Sequence, residues 1–146
     1  MSDNTTHTNY PRTPDWALLL TVFITGACVL IVELMGTRIL APYFGSGIYT
    51  WSSLIAVTLA ALAMGYTFGG RLADRLPRTD ILYSMCLAAG LWTLLTPLLA
   101  TPLLPVMILI SDIRIGVILS SCILYFPNLF LLGAICPFVI RLTFVR

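Results

Sequence analysis

The chain is 146 residues long, 59% hydrophobic and only 10% charged, with a formal net charge of +2 and a mean hydropathy of +0.98. A soluble domain carries about a quarter of its residues as charges and needs them to cover its surface, so a water-soluble globule is excluded and an all-α integral membrane protein is expected. All eight basic residues are arginine and fall in short groups between apolar runs, a pattern that orients a membrane protein and offers no face to nucleic acid.

Residues 1–15 are polar, rich in Thr and Asn, and include the only histidine, His7. They read as a short disordered tail. From Trp16 the chain stays apolar to about residue 40, longer than the roughly 20 residues a helix needs to cross a bilayer. A cleaved leader would turn polar after the small residues around Cys28, whereas here the apolar run continues, so the segment is expected to remain as the first transmembrane helix. The turn after it, APYFGSGIYTW, combines a helix-stopping Pro42 with the permissive Gly45 and Gly47, and with Tyr43, Phe44, Tyr49 and Trp51 as interfacial aromatics. A second helix is expected over about 51–70, a third over about 81–100 and a fourth over about 115–140. Between the third and fourth, TPLLPVMILISDIR has an apolar piece too short to span and framed by Pro102 and Pro105, which predicts an interfacial or re-entrant segment. Pro127 and Pro137 predict a kink in the fourth helix.

The arginines set the orientation. With the loop after the second helix in the cytoplasm, the inside holds Arg12, Arg71, Arg75, Arg78, Arg141 and Arg146, and the outside only Arg38 and Arg114. A bundle of four transmembrane helices with both termini cytoplasmic satisfies the positive-inside rule.

Glu33 is the costly residue. At 1.5 Å per residue it lies about 25 Å along the helix from Trp16, within a hydrocarbon layer roughly 30 Å thick, whereas Arg38 reaches the interface by snorkelling. Five residues turn the helix by about 140°, so the two do not share a face as residues three or four apart do. Either Gly36 loosens the helix or each finds a partner elsewhere, and the pair reads as a structural staple or as a polar intramembrane site for a cation or proton. On the second helix Ala61, Gly65, Gly69 and Ala73 recur every four residues, a smooth stripe for close helix packing. It runs into GGRLADRLPR, where Arg71, Asp74, Arg75 and Arg78 form a compact cytoplasmic loop. The four cysteines sit in apolar runs without metal or redox spacing, and no nucleotide loop or Ser-His-Asp set is present, so no catalytic residue, metal or cofactor is expected.

The stretches ELMGTRILAPYFGSGIYTW, GYTFGGRLADR and PNLFLLGAICPFVIRL together resemble the membrane domain of spermidine-synthase-like fusion proteins, in which transporter-like helices precede a soluble aminopropyltransferase-type domain. GGRLADRLPR is also similar to the cytoplasmic loop motif of the major facilitator superfamily at Gly70, Asp74, Arg75 and Arg78, and departs from it at Pro77 and Thr79. The resemblance implies an inner-membrane module of bacterial type that lacks the enzyme and anchors or assists a separately encoded synthase-like partner. Two other readings remain open. One is a half-transporter for a cationic solute such as a polyamine, bound at Glu33; the other is a structural subunit whose small-residue stripe is buried against a foreign helix. The lipid bilayer and a homo-oligomer or other membrane subunit are the partners expected in every case.

Overall fold

The computed structural model describes residues 15–75, 78–110 and 112–144. The expected tail, with Arg12, lies outside the described residues except for Asp15, and so do Pro77 and Arg146. Among the described residues every element is an α-helix: α1 (Asp15–Phe44), α2 (Ile48–Arg75), α3 (Thr79–Ile110) and α4 (Ile113–Phe144). Each contains a stretch long and apolar enough to cross a membrane, so the protein is an all-α membrane bundle. At 1.5 Å per residue the 28 to 32 residues of these helices measure about 42–48 Å, more than a hydrocarbon core of about 30 Å, so they tilt or project into the headgroups.

The helices are longer than hydropathy predicts, for identifiable reasons. Pro42 does not stop α1; a proline in the last turn removes only one helical hydrogen bond, and the helix continues to Phe44. The stop is Gly45, whose φ of 80° is left-handed backbone and whose N–H donates to the Ala41 carbonyl at 2.9 Å, the single-bond glycine cap of a helix C-terminus. Gly47 then caps α2, its carbonyl accepting from the Thr50 N–H at 3.1 Å.

The segment predicted to be interfacial is instead the last third of α3, which runs unbroken through Pro97, Pro102 and Pro105. Pro102 has no N–H for the Leu98 carbonyl one turn back. The Thr101 hydroxyl donates to that carbonyl at 2.9 Å and removes the cost of leaving it bare. α4 likewise contains Pro127 and Pro137 within one helix. Beside Pro127, the Trp92 indole N–H donates across from α3 to the Leu124 carbonyl at 3.0 Å.

α4 is the hub. It packs against all three other helices and most extensively against α2, whereas among the described residues the backbones of α2 and α3 do not approach each other and α1 bridges them only lightly. The reason lies in the small residues. A Cβ at Gly65 would run into the Phe130 carbonyl oxygen, and one at Gly69 into the backbone of Ala134. Gly133 returns the fit by admitting Leu62, whose Cα lies 3.2 Å from where its Cβ would be. The stripe Ala61, Gly65, Gly69, Ala73 is thus buried against α4 of the same chain, which corrects the reading that reserved it for a foreign helix. Two core clusters flank this seam. One, around Leu82, Met85, Ile135 and Phe138, lies toward the Arg75 end; the other, around Leu40, Leu54, Leu104 and Leu124, lies toward the Gly45 end. The remaining apolar side chains, such as Phe23, Leu87 and Leu94, point outward, as a bilayer solvent requires.

Candidate functional site

α1 carries both Glu33 and Arg38, and it is unbroken between them. Gly36 does not loosen it. The glycine instead lets α2 and α4 come close: a Cβ there would lie 3.1 Å from Leu54 Cδ2 and 3.3 Å from Tyr125 Cζ. Glu33 is half-buried and Arg38 exposed. Among the described residues the one ion pair joins Arg141 Nε to Asp74 Oδ1 at 3.0 Å, so Glu33 and Arg38 are not paired with each other.

Glu33 has a defined setting nonetheless. α1 and α2 are antiparallel and lightly packed, and two cavities open along their groove. The inner one, about 240 Å³, is lined by Thr25, Gly26, Val29 and Leu30 of α1, by Leu62 and Tyr66 of α2, and by Gly133 and Cys136 of α4. The outer one, about 300 Å³, is lined by Thr37, Arg38, Ala41 and Pro42 of α1 and by Ser46, Thr50 and Trp51. Gly26, Leu30, Glu33 and Thr37 follow one another at four, three and four residues, a single stripe of the helix. Along α1 the carboxylate therefore stands between the residues that line the two cavities, in line with those of the inner one, and is not itself among the lining residues of either.

The turn between α1 and α2 is ordered by its own polar groups. The Thr50 hydroxyl donates to the Gly45 carbonyl at 2.8 Å and ties the start of α2 to the end of α1. Arg114, at the start of α4, lies over the Tyr49 ring at 4.9 Å from its centroid, a cation–π contact. Pro42, Tyr43 and Trp51 are exposed around this end. At the opposite end Arg71, Arg75 and Arg78 are exposed, and Asp74 is held by Arg141.

A second polar group, absent from the sequence reading, lies in the centre of the bundle. Asn128 of α4 is buried and donates through Nδ2 to the Thr93 hydroxyl of α3 at 2.9 Å. Thr93 in turn donates to the Ala89 carbonyl at 2.9 Å, so it has no hydrogen left for the other amide atom. Among the described residues Asn128 Oδ1 accordingly has no partner, and neither do the buried hydroxyls of Ser120, Ser121 and Tyr125. The clue was available, since Asn128 is the only side-chain amide in any apolar run of the chain. Among the described residues no three His, Cys, Asp or Glu side chains gather in a way that would hold a metal. Cys28 of α1 and Cys86 of α3 border the same core cluster as free thiols. Comparison of the chain with protein-family models, with curated proteins and with solved structures finds no match.

Proposed function

We propose that this chain is a non-catalytic membrane module that holds an organic cation at Glu33, in the groove between α1 and α2. The observation that supports this most is the position of the carboxylate: half-buried within an apolar span, unpaired among the described residues, and placed along α1 between the residues that line two cavities. An unpaired acid in the hydrocarbon is costly, and a bound cation removes that cost. A linear amine of the polyamine class matches a narrow groove better than a hydrated metal ion does, because its methylene spacers suit the apolar walls and its ammonium suits Glu33. Tyr66 and Thr25 line the inner cavity, so hydroxyl groups stand on the side of the acid away from Arg38. As a half-transporter the module would work as a homodimer or with a second helical subunit.

The experiment is uptake and efflux of labelled polyamine in membranes holding equal amounts of the wild-type chain and Glu33→Gln. The variant keeps the side chain's shape and removes its charge, and flux is expected to fall to background. Equal flux in the two would remove the proposal.

The arginines support a second role at the other end. We infer a bacterial inner-membrane orientation with both termini inside, which turns Arg71, Arg75 and Arg78 toward the cytoplasm; these exposed side chains would meet the separately encoded synthase-like partner implied by the sequence resemblance. Gentle solubilisation and affinity capture of the full chain should bring down a soluble aminopropyltransferase-like protein, and replacing the three arginines with glutamine should release it. Capture that is insensitive to the arginines would sink this role.

A further inference from the structure

The outer cavity is distinct from the acid site in chemistry. Its walls divide into an apolar side, made by Ala41, Pro42 and Trp51, and a polar side, made by Arg38, Thr37, Ser46 and Thr50. Two of these hydroxyls are committed, Thr37 donating to the Leu34 carbonyl at 2.8 Å and Thr50 to the Gly45 carbonyl at 2.8 Å. The free donors are the Arg38 guanidinium and the Ser46 hydroxyl. Arg38 is exposed and has no acidic partner among the described residues; Glu33 is about 140° round the helix, and Asp112, the other acid at this end, forms no ion pair with it. Arg114, the other base here, is already seated over Tyr49. One cation therefore faces one cavity with nothing to neutralise it.

We propose that this cavity binds the phosphodiester headgroup of a phospholipid. A guanidinium presents a rigid fork of donors that matches two phosphate oxygens, and the Ser46 hydroxyl supplies a further donor. The depth is right: Arg38 lies six residues before the end of α1, about 9 Å from it along the helix, at the level where headgroups begin. The apolar side selects the source of the phosphate. A free inorganic anion would leave Ala41, Pro42 and the Trp51 ring facing water, whereas the glycerol and first methylenes of a lipid cover them. The volume of about 300 Å³ accommodates a headgroup and little more.

The test uses the full chain purified in mild detergent, with retained lipid counted by native mass spectrometry. Wild-type protein is offered phosphatidylglycerol, or diacylglycerol with the same acyl chains, or inorganic phosphate. Retention of phosphatidylglycerol over diacylglycerol is expected. Arg38→Gln should lower phosphatidylglycerol retention about tenfold, and Arg114→Gln should leave it unchanged. Equal retention of the two lipids by the wild type, or equal loss in both variants, would overturn the proposal. Displacement of the lipid by millimolar inorganic phosphate would also overturn it, assigning the cavity to a free anion. If Arg38→Gln fails to give helical, monodisperse protein, the comparison of the two lipids on the wild type decides by itself.

Discussion

Replacing Asn128 with alanine removes a hydrogen bond between α4 and α3 and an amide that is only half satisfied. Hydrogen bonds between membrane helices contribute about 0.6 kcal/mol on average and at most about 1.7. The substitution is expected to cost about 1–2 kcal/mol, with the methylene and amide volume lost adding to the bond. A double-mutant cycle with Thr93→Val, read by unfolding in mixed micelles, should give a coupling of about 0.6 kcal/mol; strict additivity would show that the contact contributes nothing. Glu33 was legible in the sequence because a charge in an apolar run is conspicuous on any transfer scale. Asn128 was not, since one neutral amide barely lowers the hydropathy of the run that holds it, and its importance comes from Thr93, 35 residues earlier.

At the level of elements, α2 and α4 form the closest seam. Gly69→Leu places a side chain where the Ala134 backbone already stands, and backbone cannot yield as a flexible side chain does. Overpacking of this kind costs about 3 kcal/mol or more. Gly70→Leu, one residue on and open around its Cβ, should be close to neutral, and the pair separates packing from helix propensity when their thermal unfolding is compared. Equal melting points would mean that α2 and α4 do not meet in this register. The four-residue spacing on α2 announced a packing face, but it could not name the partner, because Gly133 and Ala134 lie in an apolar run with no comparable stripe. Helix ends were the least legible part. Pro42, Pro102 and Pro105 read as breakers in isolation, whereas Gly45 and the Thr101 hydroxyl decide where the chain turns and where it carries on.

For the molecule as a whole, composition alone was enough for four spans and a lipid solvent. It was not enough for their arrangement: side chains apolar on every side of a helix give no preferred face, so that α4 is central and α2 and α3 stand apart follows only from which backbones approach. Orientation is open to direct measurement. With the native cysteines replaced, a single cysteine at Arg78 should resist a membrane-impermeant maleimide on intact cells and react after permeabilisation, if the arginines lie inside as the positive-inside rule requires. Labelling of intact cells would invert the topology and place the Arg38 cavity in the inner leaflet.

The hub position of α4 bears on how the protein is made. A ribosome feeds α1, α2 and α3 into the membrane before the helix against which α2 and α3 mainly pack. Gly65 and Gly69 then present a bare strip to any passing helix, so biogenesis has an interval of vulnerability that closes only when α4 docks.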